Sequence, residues 1–68
     1  MRVLLNGERR DLAPDATVRE AVTATGASSE GRGVAVALDG EVVPRRLWDE
    51  ISLEEDQRVE VVRAVQGG

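Results

Sequence analysis

The residues of this chain best suited to chemistry are its last two, Gly67 and Gly68. Glycine carries no Cβ and has no preferred sign of φ, so two in succession make a slim, pliable tip. Such a tip can thread a channel too narrow for other residues and hold its terminal carboxylate out to a reaction inside. The side chains offer far less. Cysteine, histidine, lysine and tyrosine are absent, and all nine basic residues are arginines. Without histidine no Ser-His-Asp arrangement can be assembled. Without cysteine or histidine the usual zinc sites are excluded. Without lysine there is neither a Schiff base nor a P-loop lysine. Paired carboxylates can still do acid–base work, but a 68-residue domain leaves little room for a deep cleft. The expectation is a chain that is not an enzyme and that offers its terminus to one.

The surface chemistry points the same way. The net charge is −4, and no aromatics interleave the arginines, so nucleic acid is not an expected partner. The apolar runs are only a few residues long; neither a membrane span nor a signal peptide is expected, which makes the cytoplasm the default setting. Gly26, Gly31 and Gly33 do not follow a dinucleotide or Walker spacing, and no bound cofactor is expected. The acidic cluster Asp49, Glu50, Glu54, Glu55 and Asp56 lacks the regular ligand spacing of a calcium loop. It reads as a solvated turn whose charge steers a basic partner surface, with no metal. A monomer that docks transiently is the simplest expectation.

A terminus of this kind needs a rigid body to present it. Hydrophobic residues make up 41% of the chain and charged residues 32%, a balance that suits a folded domain. Trp48 is the one aromatic residue, so the core must be built from Val, Leu, Ile and Ala. Residues 1–5 alternate as a strand with Met1, Val3 and Leu5 on one face. Asn6-Gly7 is a hairpin signal, because a type I′ turn needs positive φ at both positions. The returning strand, Glu8 to Leu12, is polar and reads as an edge strand protected by charge. After a loop, Thr17-Val18-Arg19-Glu20 has the pattern of a capping box. Val18, Ala21, Val22 and Thr25 follow helical spacing, and Gly26 suits a left-handed stop. Residues 27–33 read as a connector. Val34–Leu38 is a third strand; Asp39-Gly40 is a second hairpin turn into Glu41–Val43, which Pro44 ends. Residues 45–51 hold Leu47, Trp48 and Ile51 at the spacing of a helical turn, with the Trp48 indole N–H expected at the rim. The last strand, Gln57 to Val65, is valine-rich on both faces and reads as central.

The resulting order is hairpin, helix, hairpin, turn, strand, with the first and last strands parallel in the middle. That predicts an α+β fold of the ubiquitin-like β-grasp kind: a mixed sheet of four to five strands, one helix on one face, and a flexible C-terminal tail. The expected division is a domain over residues 1–65 and a Gly-Gly tail over residues 66–68. A four-stranded α+β layer of different strand order is the alternative.

With these elements in place, the chain resembles the small sulfur carrier proteins of bacterial thiamine biosynthesis. The resemblance lies in Leu5-Asn6-Gly7-Glu8, Ala16-Thr17-Val18, the run from Ala37 through Asp39-Gly40-Glu41-Val42-Val43-Pro44-Arg45, Trp48, and the Arg58–Val65 strand leading to Gly67-Gly68. Asp39 stands where an asparagine is expected, though either permits the turn. Gln66 occupies a tail position that is often small. The resemblance implies that a partner enzyme uses ATP to adenylate the carboxylate of Gly68, that sulfur then replaces one oxygen to give a thiocarboxylate, and that a thiazole synthase consumes it. Gly67 would be the access spacer. The implied partners are an adenylating, E1-like enzyme, a sulfur-donating enzyme and the thiazole synthase. The chemistry agrees: a free carboxylate is a poor electrophile, and in a chain without cysteine the C-terminus is the natural place for covalent sulfur.

Recognition is expected beside the tail. Val62 and Ala64 should face outward, opposite the helix, because one helix covers only one face of the sheet. An exposed apolar patch there would seat the activating enzyme, with Arg63 and Arg45 pairing with partner acids. The competing functions are the small sulfur-carrier subunit of molybdopterin synthase, a ubiquitin-like protein modifier, and a passive β-grasp interaction domain.

Overall fold

The alternation in the first residues is realised as β1 (Arg2–Leu5), which buries Val3 and Leu5. The structure, a computed structural model, describes residues 1–27 and 32–63. Asn6 and Gly7 take φ of 51° and 83°, as a type I′ turn requires. The chain returns antiparallel as β2 (Glu8–Asp11), whose four residues are all exposed. The second hairpin repeats the device. Asp39 and Gly40, at φ 47° and 90°, join β3 (Val34–Leu38) to β4 (Glu41–Val43). A single 3-10 turn, Arg45–Leu47, follows Pro44. The last strand, β5 (Arg58–Arg63), inserts between β1 and β3.

The five-stranded sheet has the order β2-β1-β5-β3-β4. β5 is central, as expected, and runs parallel to β1 and antiparallel to β3. Its outer face is less apolar than a strand buried on both sides would be. Val59 and Val61 are buried, whereas Arg58, Glu60 and Val62 face solvent. Residues 28–31 of the expected connector lie outside the described residues.

The helix α1 (Val18–Ala24) buries Val18, Ala21 and Val22, and Gly26 follows at φ 87°. Its start differs from the expected capping box. The Thr17 side chain makes no cap hydrogen bond. The first N–H groups of a helix need partners, and here main-chain carbonyls supply them. The Val18 N–H donates to Ile51 O at 3.1 Å, the Arg19 N–H to Trp48 O at 3.2 Å, and the Glu20 N–H to Thr17 O at 3.1 Å. The 45–52 segment thus caps the helix, and Thr17 bridges Ser52 across the same seam.

Trp48 anchors this segment. It is only 1% exposed, not at the rim as expected. Burial is tolerable because the indole N–H donates to Val43 O at 3.1 Å. Arg19 lies over the ring at 5.7 Å and pairs with Asp49 at 2.5 Å. In a core otherwise aliphatic, this one large side chain links the sheet edge at Val43 to the helix start at Arg19. The remaining core is Val3, Leu5, Val36, Leu38, Val43, Val59 and Val61 from the sheet, met by Val18, Ala21, Val22, Ala16 and Leu53. Fully burying a valine stabilises by roughly 1.5 to 3 kcal/mol, so such residues carry most of the fold.

Candidate functional site

β5 is the last described element before the expected tail, so its final residues form the candidate site. Arg63 pairs with Val34 and is exposed; Val62 pairs with Ala35. Val62 is 60% exposed on the face opposite the helix, as its parity with buried Val61 demands. Ala64, Gly67 and Gly68 lie outside the described residues. Arg45 opens the 3-10 turn after Pro44, exposed. Since Val43 pairs with Val36, Arg45 and the Val34–Arg63 pair come to the same end of the sheet. Val62, Arg63 and Arg45 are therefore brought to one rim, the rim at which β5 ends.

The outer face carries a second large apolar side chain that the sequence reading left unassigned. Val42 is 75% exposed. It pairs with Ala37, which pairs on its other side with Glu60. Val62, Ala35, Ala37 and Val42 thus form a low apolar surface across β5, β3 and β4, with the exposed Glu60 carboxylate at its edge. Alternation held the signal: with Val43 turned into the core, Val42 had to face out.

Two turn residues hold β5 in place, and neither role follows from turn propensity. The Asn6 main-chain N–H donates to Val59 O at 2.8 Å. Its side-chain Oδ1 accepts from the Val61 N–H at 2.8 Å, and its Nδ2 donates to Val61 O at 3.3 Å. β1 has ended there, so the side-chain amide replaces the peptide group that a longer strand would offer. Pairing on that flank of β5 thereby reaches the residue before Val62. Asp39 grips the other end: its N–H donates to Arg58 O at 2.9 Å, and its Oδ1 accepts from the Arg58 N–H at 3.1 Å. The Gln57 side-chain amide reaches the other Asp39 oxygen at 3.4 Å. An acceptor oxygen is all the Arg58 N–H needs, so aspartate serves where asparagine was expected. Asn and Asp suit both tasks, since they tolerate positive φ and carry a short group that mimics the backbone.

The acidic cluster is spread out. Asp49 pairs with Arg19, Glu55 accepts from the Arg2 main-chain N–H at 3.1 Å, and Asp56 turns the chain at φ 63°. Among the described residues, no group of three or more acidic side chains is arranged to hold a metal ion. Nor is any helix among them long and apolar enough to cross a membrane.

A mixed sheet with a parallel centre, one helix on its inner face and a bare outer face defines a ubiquitin-like β-grasp protein. The ThiS family model matches residues 3–68, and the chain belongs to that family. It is a ThiS-like sulfur carrier. The chain is similar to the crystal structure of the thiamine biosynthesis protein ThiS from Geobacter metallireducens, at 27% identity and a TM-score of 0.79 over all of both chains. It is similar also to a solution structure of a thiamine biosynthesis protein from Geobacter metallireducens, at 28% identity and a TM-score of 0.79, covering all of this chain and 88% of that one. No curated protein matches the chain.

Proposed function

We propose that this protein carries sulfur for thiazole formation in thiamine biosynthesis, as a co-substrate and not as a catalyst. A domain over residues 1–65 holds out residues 66–68. A partner enzyme binds ATP and joins the Gly68 carboxylate to AMP, releasing pyrophosphate. A sulfur nucleophile delivered by a donor enzyme attacks the acyl carbon, and AMP leaves. The resulting thiocarboxylate passes its sulfur to a thiazole synthase. Gly67 lets the tail enter the partner's channel. The outer face, with Val62 and Ala64 near its tail end and Arg63 and Arg45 at the rim, receives the partner. The carrier works as a monomer in the cytoplasm and binds no cofactor of its own.

The observation that carries this reading is the family match, which runs through to residue 68 and so includes the Gly67–Gly68 pair. The bare apolar face beside the outgoing strand supports the docking step. Intact mass spectrometry tests the chemistry. With the adenylating enzyme and ATP the chain should gain one AMP. With a sulfur donor present, one oxygen should be exchanged for sulfur. Equal activation of a chain lacking Gly68 would overturn the assignment of the acceptor, and isopeptide-linked adducts in the cell would point to a protein modifier.

A further inference from the structure

Under the free edge of β4 lies an open groove of about 350 Å³. Val43, Pro44, Leu47 and Ile51 are among its apolar lining residues, and Asp39, Glu41 and Gln57 are its polar ones. No arginine among the described residues lines it, although the chain has nine. Pockets that enclose small ligands run from about 300 to 1,000 Å³ and cover most of the ligand. A groove at the bottom of that range, and open, suits one protruding side chain better than a free molecule.

The edge above it is equally suited to a chain. In a two-residue hairpin the residues flanking the turn form a hydrogen-bonded pair, and the next pair does not. Leu38 and Glu41 flank the turn, so Val42, one position on, directs its N–H and C=O away from β3. Such an open edge pairs readily with an extended segment. The Val42 side chain, meanwhile, belongs to the outer face beside Ala37. Val42 lines the groove as well, so the docking face and the groove meet at the β4 edge.

We infer that this groove receives an extended segment of the activating enzyme. Its backbone lies along β4, an aliphatic side chain enters against Leu47 and Ile51, and an adjacent arginine or lysine meets Asp39 and Glu41. The choice of occupant rests on charge: among the described residues the lining holds two carboxylates, Asp39 and Glu41, and no cation. The inference also rests on the proposed docking of the adenylating enzyme on the outer face, and it adds a second contact that selects a cationic partner.

The test is titration of the isotope-labelled full chain with the adenylating enzyme of the same organism, without ATP. Amide signals of Glu41, Val42, Leu47 and Ile51 should shift together with those of Val62. Calorimetry should show Glu41→Arg weakening affinity about tenfold and Glu41→Gln about threefold, with a flatter salt dependence in both. Because Glu41 is exposed, melting curves of these variants should match the parent. If Val62→Asp weakens binding while Glu41→Arg binds normally and the groove signals stay still, the groove is not used and the outer-face reading stands. If the parent chain does not bind the enzyme at all, both readings fall.

Discussion

Val61 and Val62 are neighbours with the same side chain, yet one is 8% exposed and the other 60%. The two faces of β5 therefore do different work. The inner face, Val59 and Val61, closes the core against the helix. The outer face, Arg58, Glu60 and Val62, meets solvent and is the face proposed to receive the partner. A sheet covered on one side separates stability from recognition within a single strand. Changes on the inner face should be read in melting curves, and changes on the outer face in affinity.

The strongest way to break this separation is to attack the inner layer where it is most concentrated. Trp48→Ala should cost about 3 to 5 kcal/mol, which rivals the whole stability of a small domain. Circular dichroism should then find the variant largely unfolded at room temperature. A cooperative melt near that of the parent would show that Trp48 is not the anchor described above. Next come the valines. Val59→Ala should lose about 2 kcal/mol, whereas Val62→Ala should stay within about 0.5 kcal/mol. Similar losses for the two in urea denaturation would erase the contrast between the faces.

Asn6→Gly sharpens the comparison at a smaller scale. Glycine keeps the positive φ, so the variant isolates the side-chain amide. The loss should be about 1 kcal/mol, with faster hydrogen exchange at the Val61 amide and none of that acceleration at Val36. Uniform acceleration would mean the amide supports the fold generally and not the tail end of β5. Smallest in stability is Val62→Asp, expected within about 0.5 kcal/mol of the parent but about tenfold weaker toward the adenylating enzyme. Unchanged affinity would remove the outer face from the binding account. Deleting Gly68 should leave the melt where it was while abolishing ATP-dependent activation.

Much of the fold was legible because local signals agreed. Asn6-Gly7 and Asp39-Gly40 each demanded positive φ, and both turns appear. The 3.6-residue spacing of Val18, Ala21 and Val22 marked the buried side of the helix. Val62 was legible as outward-facing from its register against Val61. Three features were not legible, each because the hydrogen-bond partner belongs to a different element and no repeat or turn pattern links the two. The capping box looked complete within Thr17–Glu20, yet the donors of Val18 and Arg19 found carbonyls some thirty residues away, at Ile51 and Trp48. Trp48 looked like a rim residue because no local pattern shows that Val43 O will satisfy its indole. Asn6 looked like a turn former alone, since Val61 lies fifty-five residues on.

Periodicity, turn chemistry and the missing nucleophiles settle, from sequence alone, the element order, the buried faces and the exclusion of catalysis by histidine, cysteine or lysine. These depend only on spacing and residue type. The tertiary structure alone decided what satisfies each buried polar group and which exposed side chains are neighbours: Val42 beside Ala37, Val62 beside Ala35, Asn6 against Val61. Hydrogen bonds and surface patches form between groups that the chain brings together only when the sheet closes, and no local pattern carries their register.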